Sequence, residues 1–195
     1  MRIISGKFKG RKIRGPSDFS IRPTLDRIKE SIFNVIGKQV EGSSVLDLFS
    51  GTGSLGLESL SRGCRYVYFV DKDIQSINLI RYNTKSLTSK ETGIGDFKII
   101  HKDVIGFLRF CNIKKWDIIF LDPPYRISTD IMKSVFNIIV ESGIVADKTL
   151  LVYEAFSKKD IEEESGRLRI VKESFFGDKK IVYLRLKNTS SEYEQ

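Results

Sequence analysis

Short apolar runs alternate with helix-like segments along most of this chain, and that alternation limits the possible folds more than any other feature. Five runs are rich in β-branched and aromatic residues, which is typical of strands buried on both faces of a parallel sheet. They cover residues 45–49, 66–70, 97–100, 117–121 and 150–153. Intervening helices are predicted up to residue 63, over 74–87, around 107–108 and over 129–141. Because this alternation indicates βαβ units, the sequence predicts one doubly wound α/β sheet.

Both ends of the chain carry elements outside this alternation. Apolar residues at helical spacing predict a first helix up to residue 36, with Thr24 as its N-cap and Gly37 as its stop. Near the other end, two apolar segments flank Gly177 and Asp178, which is a hairpin signal. The sheet should therefore finish in an antiparallel pair over 168–176 and 180–186, after a polar helical segment over 158–164.

Every ionisable side chain from residue 1 to residue 17 is basic. The turn signals Ser5-Gly6 and Lys9-Gly10 favour a small hairpin or an extended arm. Phosphate contacts by Lys and Arg give sequence-independent affinity for nucleic acids, which is the simplest reason for the formal net charge of +8. We predict that this arm binds a phosphate backbone. The alternative is a solvated basic tail. The candidate cations are Arg2, Lys7, Lys9, Arg11, Lys12 and Arg14, and Arg22 and Arg27 either extend this set or are ordinary solvated charges.

The fourth apolar run ends in Asp122-Pro123-Pro124-Tyr125. Two successive prolines carry the chain stiffly away from the carboxyl end of the strand, where open α/β sheets bind ligands. The Asp122 side chain and the Pro123 carbonyl could hold the two hydrogens of a nucleobase amine and thereby localise its lone pair for attack, while Tyr125 stacks on the base. The alternative is a structural turn in which Asp122 accepts from loop N–H groups.

A glycine-rich loop follows the first apolar run. Gly51, Gly53 and Gly56 stand between a predicted strand and a predicted helix, where missing side chains let the backbone approach a ligand. Asp71 ends the next strand and is placed to accept from ribose hydroxyls. This pattern predicts a nucleotide-type cofactor, and by itself it fits a dinucleotide or another adenosine cofactor equally well.

Three further features favour S-adenosylmethionine over a dinucleotide. Asp47 lies inside the first strand, where a carboxylate is costly unless it meets a partner such as the amino group of a methionine moiety. Asp103 ends the third strand, where an adenine edge could lie, and the terminal hairpin is not expected of a simple nicotinamide domain. Structural alternatives are a turn capped by Asp47 and a helix capped by Asp103.

These motifs, taken in order, resemble those of a known enzyme family. The segments VLDLFSGTGSLGLESLSRG, FVDKD and FLDPPY resemble the class I S-adenosylmethionine-dependent methyltransferases, and the ending DPPY is similar to those that methylate exocyclic amines. The N-terminal segments MRIISGKFKGRKI and RPTLDRIKESIFNVIG narrow the resemblance to the RsmD family, the bacterial 16S rRNA guanine-N2 methyltransferases. The similarity runs from Met1 to about Leu186 with matching motif order and spacing.

The resemblance implies a fold, a cofactor and a set of site residues. The fold would be a Rossmann-like class I methyltransferase sheet over 41–188 that ends in the antiparallel hairpin, preceded by an RNA-binding arm and helix over 1–40 and followed by a polar tail over 189–195. The cofactor would be S-adenosylmethionine, and the residues 122–125 would form the catalytic loop. The implied cofactor site is Asp47, Phe49, Gly51, Gly53, Asp71, Lys72, Asp103 and Val104.

The implied partner is 16S rRNA, within a 30S subunit or an assembly intermediate. The resemblance leaves the oligomeric state open, and two cysteines with one histidine make a Cys/His metal site unexpected. No apolar run is long enough to span a membrane and the N-terminus lacks the apolar core of a signal peptide, so a cytoplasmic location is expected. Alternative functions are adenine-N6 methylation of DNA or RNA, a noncatalytic ribosome-assembly factor and, least favoured, a nicotinamide oxidoreductase.

Overall fold

A seven-stranded mixed sheet forms the centre of the computed structural model, which describes residues 1–16, 23–89, 91–111, 115–124, 126–161 and 166–187. The predicted polar tail over 189–195 lies outside these ranges. The strands run in the order β3-β2-β1-β4-β5-β7-β6, the first five parallel and the last two antiparallel. They are β1 (Ser44–Leu48), β2 (Tyr66–Asp71), β3 (Asp96–His101), β4 (Ile118–Leu121), β5 (Leu150–Phe156), β6 (Leu168–Phe176) and β7 (Lys179–Leu186).

This topology confirms the predicted doubly wound sheet with a terminal antiparallel hairpin. The strand order reverses between β1 and β4, and the loops that follow these two strands diverge at that point. Ligands of open α/β sheets bind outside the carboxyl ends of the strands at such a switch point. Both motifs that the sequence singled out, the glycine-rich loop after β1 and the Pro-Pro loop after β4, are thereby brought to one place.

The helices pack on both faces of the sheet. They are α1 (Pro23–Ile36), α2 (Ser54–Ser61), α3 (Ile74–Thr88), α4 (Val104–Arg109) and α5 (Thr129–Glu141), and a 3-10 helix over Gly37–Val40 follows α1. Each helix in the described part of the chain is too short or too polar to cross a membrane.

Two local predictions were wrong. The helix α1 begins at Pro23, so Thr24 lies inside it rather than capping it. Proline suits the first helical position because its fixed φ is already helical and the missing N–H has no helical partner there. The segment predicted as a polar helix contains a turn at 157–158 and no helix up to residue 161, and 162–165 lie outside the described residues.

Two hydrophobic cores sit on the opposite faces of the sheet. One lies between the sheet, α1, α2, α3 and the N-terminal segment, and the other lies between the sheet, α4 and α5. The second core includes Trp116, which is 1% exposed and packs edge-on against the rings of Tyr66 and Tyr68, at 5.4 and 5.1 Å between ring centroids. Aromatic pairs in this edge-to-face arrangement add stability beyond the area that they bury.

Residues 1–16, here called the N-terminal hairpin, fold back onto the body of the protein. A single antiparallel bridge joins Arg2 to Lys12, and the side chains of Ile3, Phe8 and Ile13 are buried in the first core. Of the two predicted forms, a small hairpin or an extended arm, the structure shows a hairpin that packs on the first core. The predicted division of the chain near residue 40 stays a prediction, and the residues on both sides of it share one core.

A buried carboxylate anchors the N-terminal hairpin to α2. Glu58 is fully buried, and its two oxygens accept from the backbone N–H groups of Ile4 (2.8 Å) and Ser5 (3.0 Å). Arg62 Nε donates to the same carboxylate at 2.9 Å, and Lys29 Nζ lies 3.6 Å from it. Lys29 is 4% exposed, and burial lowers the pKa of its ammonium group.

Gly6 lies where the N-terminal hairpin packs tightly against the end of α2. Lys7 N donates to the Ser61 carbonyl at 2.7 Å, and a Cβ added at Gly6 would lie 1.9 Å from that carbonyl oxygen. The φ of Gly6 is +81°, in the left-handed region that glycine adopts without steric cost. Both the backbone conformation and the available space therefore require glycine here.

Candidate active site

A cavity of about 1020 Å³ opens at the carboxyl ends of the parallel strands. Its walls come from the loops after β1, β2, β3 and β4, from α1 and from the N-terminal hairpin. Ten of the predicted site residues line it, namely Lys12, Asp47, Phe49, Gly51, Asp71, Lys72, Asp103, Val104, Asp122 and Pro124. The sheet topology thus brings seven of the eight predicted cofactor residues and two of the four predicted catalytic residues into one cavity.

The loop after β1 is held in a strained, compact path. Phe49 has a φ of +59°, the only positive value of a non-glycine residue in the described chain, and Gly51 and Gly53 follow at +54° and +76°. Gly53 does not line the cavity; it is the residue before the first turn of α2. Non-glycine residues in the left-handed region cost free energy and cluster at ligand sites. The loop turns sharply enough to present its backbone to the cavity.

Asp71 fixes this loop from the neighbouring strand. Its Oδ2 accepts from Gly51 N at 2.8 Å and its Oδ1 accepts from Asp73 N at 2.9 Å. Each carboxylate oxygen has two lone pairs, so Asp71 retains acceptor capacity toward the cavity that it lines. Asp71 thus holds the loop, and its contact with ribose hydroxyls stays a prediction.

Asp47 is a buried carboxylate in β1. It is 2% exposed, and its Oδ2 accepts from Gly56 N at 3.0 Å across the glycine-rich loop. Burial raises the pKa of Asp47 well above its ordinary value, the bond from Gly56 opposes this rise, and the nearby charges of Asp122 and Asp71 add to it. A cation bound beside Asp47 would restore the ionised form. This is the electrostatic setting expected of a site for a positively charged ligand.

Asp103 and Val104 lie where β3 passes into α4. Asp103 Oδ1 accepts from Gly106 N at 3.1 Å, so Asp103 caps α4 as the structural alternative predicted. Both residues also line the cavity. The two interpretations are compatible because the N-cap places Asp103 at the cavity wall.

Asp122 ends β4 and faces the open cavity. Although the residue is exposed to the cavity, protein atoms crowd its carboxyl, and the loss of hydration raises the pKa of Asp122 to about 7. The negative charge of Glu154 adds to the rise, and the positive charge of Lys179 opposes it. Pro123 borders a second cavity of about 90 Å³ rather than the main one. Tyr125 lies outside the described residues.

Most predicted phosphate-binding cations are exposed on the N-terminal hairpin, but three already have acidic partners. Lys7 and Arg11 both pair with Glu91, and Arg2 Nε lies 3.3 Å from Asp26 Oδ2. Exposed pairs of this kind are weak and exchange readily with other anions. These three cations therefore remain candidates for phosphate contacts.

The remaining hairpin cations are exposed, and one of them, Lys12, lines the cavity. The Arg14 guanidinium lies 5.0 Å from the ring centroid of Tyr82, an exposed aromatic residue of α3 that the sequence analysis missed. Asn83 fixes the same end of the hairpin, because its amide bonds both the backbone of Arg14 and the carbonyl of Thr52 in the glycine-rich loop. Lys9, Lys12 and Arg27 are exposed, and Arg22 lies outside the described residues.

Glu154 is the site residue that the sequence analysis missed most clearly. It lies near the end of β5, lines the main cavity and forms an ion pair with Lys179 of β7. The available signal was its position at the carboxyl end of a predicted parallel strand. No cluster of three or more potential ligands in the described part of the chain could hold a metal ion.

Residues 1–185 match the family described as conserved hypothetical protein 95. One relative, the putative rRNA methyltransferase YlbH of Bacillus subtilis, is 34% identical over 91% of this chain and 94% of its own length. Another, ribosomal RNA small subunit methyltransferase D of Escherichia coli, is 30% identical over 80% of this chain and 74% of its own length.

Solved structures share the fold. A putative methyltransferase of Escherichia coli, yhhF, superposes with a TM-score of 0.78 at 23% identity over 96% of this chain and 98% of that chain. The 16S rRNA N2 G1207 methyltransferase RsmC of Thermus thermophilus, solved with AdoMet and guanosine, gives a TM-score of 0.66 at 18% identity over 88% of this chain and 45% of that chain. At these identities the likeness shows the fold alone.

Proposed function

The chain belongs to the conserved hypothetical protein 95 family, which is the RsmD family that its sequence resembles, and we propose from this membership and the cavity that it methylates rRNA. The enzyme is an S-adenosylmethionine-dependent methyltransferase. Its target is the exocyclic N2 amine of a guanine in the RNA of the small ribosomal subunit. We propose a 30S subunit or an assembly intermediate as the substrate particle, and the cytoplasm as the location.

One observation carries this proposal most directly. Asp122 lines the same cavity as the glycine-rich loop and Asp71, so a residue suited to hold an amine faces residues suited to hold an adenosine cofactor. Transfer between two bound molecules needs this arrangement, because the reacting atoms must be held in line and within about 3–3.5 Å. Neither a noncatalytic RNA-binding factor nor a simple cofactor carrier needs it.

The residues of the cavity fit S-adenosylmethionine. Asp47, Asp71 and Asp122 place three carboxyl groups around one cavity, and their mutual repulsion raises the pKa of Asp47 in addition to burial. A ligand with a cationic ammonium and sulfonium relieves that repulsion, whereas a dinucleotide with an anionic pyrophosphate would increase it. When bound, S-adenosylmethionine supplies a methyl group on positively charged sulfur.

Asp122 prepares the amine for attack. As a carboxylate it accepts a hydrogen bond from the guanine N2 amine. This bond localises the nitrogen lone pair and stabilises the positive charge that forms on nitrogen. The same carboxylate is placed to take the proton that nitrogen releases after transfer. Tyr125 keeps its predicted role as stacking partner. The Pro123 carbonyl stays a predicted second acceptor, although Pro123 borders the smaller cavity rather than the main one.

The N-terminal hairpin presents the RNA to the cavity. Lys12 lines the cavity itself, and the other exposed cations of the hairpin offer further phosphate contacts. Phosphate contacts position a nucleic acid without reading its sequence. The target base must leave its stack to reach Asp122, as bases do in enzymes that modify them.

Transfer of labelled methyl from S-adenosylmethionine tests the function. We expect N2-methylguanosine after reaction with 30S particles that lack the modification, with free 16S rRNA and DNA assayed alongside. N6-methyladenine as the sole product would support the adenine-specific alternative instead. Cofactor binding without transfer to any of the three polymers would contradict the proposal and favour a noncatalytic assembly factor.

We expect the rate of methyl transfer to rise with pH through about 7, where Asp122 loses its proton. The sign follows because only the carboxylate, not the neutral acid, offers all its oxygen lone pairs to the amine. In Lys179→Met the positive charge that lowers the pKa of Asp122 is gone, so the acidic limb of the kcat/KM profile should move to higher pH. Profiles of both proteins that coincide would contradict the assignment of this limb to Asp122.

A further inference from the structure

A second carboxylate stands beside Asp122 at the edge of the sheet. In the register of β4 and β5, Leu121 pairs with Tyr153, so Asp122 and Glu154 follow at adjacent positions on neighbouring strands. Side chains two residues apart along a strand share a face, which puts Asp122 with Phe120 and Glu154 with Val152 on the same side of the sheet. Glu154 accordingly lines the main cavity together with Asp122.

Lys179 forms an ion pair with Glu154. Lys179 Nζ lies 2.5 Å from Glu154 Oε1, and the two side chains are only 16% and 14% exposed. A largely buried ion pair contributes little stability compared with apolar side chains of the same size. Its placement next to Asp122, whose pKa it influences, is better explained by recognition of a ligand than by stability of the hairpin.

Guanine offers two neighbouring donors on one edge, the N1–H group and the N2 amine. A pair of adjacent carboxylates matches two adjacent donors. Adenine presents an acceptor at N1 beside its own amine. A carboxylate that faces N1 would therefore have no hydrogen-bond donor and would be repelled by the N1 lone pair. The two carboxylates are therefore complementary to guanine and opposed to adenine.

We infer that Glu154 is the residue that selects guanine. Its carboxylate accepts a hydrogen bond from N1–H, while the Asp122 carboxylate accepts one from the N2 amine. Lys179 is a positioning residue that orients the Glu154 carboxylate. This inference rests on the proposed function, since it concerns the base whose amine receives the methyl group. It adds a specificity residue on β5 to the loop after β4.

The base 2-aminopurine tests this assignment, because it keeps the 2-amino group, has an acceptor in place of N1–H and carries no other amine that Glu154 could hold. The target guanine is first mapped in rRNA and then replaced by 2-aminopurine in a ligated rRNA. Wild-type enzyme should prefer guanine by about 100-fold, the scale on which a site rejects a base that leaves its polar group unpaired. In Glu154→Gln the amide can donate to N1, so the preference should fall at least about 10-fold.

The ratio of kcat/KM for the two bases is the readout, because partial unfolding of a variant lowers both values equally. Glu173→Gln is the matched control: Glu173 forms an ion pair of 2.8 Å with Lys180 on the same terminal hairpin but does not line the cavity. This control should keep the wild-type ratio. Equal ratios in Glu154→Gln and wild type, or a wild-type enzyme that does not discriminate, would overturn the inference while N2-methylguanosine formation upheld the proposed function. Absence of methyl transfer by wild type would instead remove the function itself.

Discussion

Replacing Asp122 with alanine is expected to lower methyl transfer by about 1,000-fold, because the variant loses the acceptor that holds the amine and stabilises its developing charge. Cofactor binding should persist, since the glycine-rich loop and Asp71 are held by bonds that do not involve Asp122. Single-turnover transfer to rRNA and equilibrium binding of S-adenosylmethionine measure the two effects separately. Asp130→Ala removes a carboxylate from the first turn of α5 outside the cavity and should leave transfer within about 2-fold, as most surface changes do.

Asp122→Ala should also raise the free energy of unfolding at pH 8. The pKa of Asp122 is raised to about 7 in the folded protein, so the folded state holds this proton more tightly than the unfolded chain does. The contribution of Asp122 to the free energy of unfolding is therefore fully present below about pH 4, its pKa in the unfolded chain. It is lost as the pH rises through about 7, its pKa in the folded protein. Removal of the carboxyl should add about 1 kcal/mol to the free energy of unfolding at pH 8, a value reduced for screening by solvent in the cavity.

Denaturant unfolding at pH 5 and pH 8 measures that difference, with Asp130→Ala again as the control. The gain of Asp122→Ala over wild type should be larger at pH 8. A variant that loses activity and also loses stability at both pH values would indicate that Asp122 serves the fold rather than the reaction.

Replacing Gly6 with alanine is expected to lower the free energy of unfolding by about 2–5 kcal/mol, the sum of left-handed strain and overpacking. A Cβ at this position would lie 1.9 Å from the Ser61 carbonyl oxygen, so the N-terminal hairpin and α2 cannot keep their present contact. Displacement of the hairpin would expose Ile3 and Phe8, which are now completely buried. Methylation of rRNA should fall with it, because the hairpin carries most of the predicted phosphate contacts.

Gly10→Ala separates these causes. Gly10 has nearly the same φ, +82°, in the same hairpin, but no heavy atom lies within 4 Å of an added Cβ. Its substitution should therefore cost only the strain of a left-handed alanine, about 1–2 kcal/mol. Chemical denaturation midpoints compare the two variants directly. Equal losses in both would mean that close packing against α2 does not hold the hairpin.

The sheet and its two functional loops could be predicted because their signals are local. Continuous apolar runs such as 118–121 identify buried strands, and glycines or prolines at the ends of such runs identify the loops. The topology of a doubly wound sheet then brings these loops together without further information.

The partners of the buried charges could not be predicted in the same way. Ile4 and Glu58 are 54 positions apart in sequence, and nothing local to either residue indicates the bond between them. Lys29 is buried through contacts distant in sequence, since its Nζ donates to the Arg2 carbonyl of the hairpin and to Ser54 Oγ of α2. Glu154 was missed for a related reason, since its role depends on the register of two strands.

Trp116 gives the molecule an intrinsic optical reporter. It is the only tryptophan in the sequence, it is almost completely shielded from water, and two tyrosine rings lie close enough to transfer excitation to it. Its emission therefore originates from one known point beside the central strands and shifts toward longer wavelength when water reaches the indole. The unfolding of each variant can be followed by this fluorescence without an added dye.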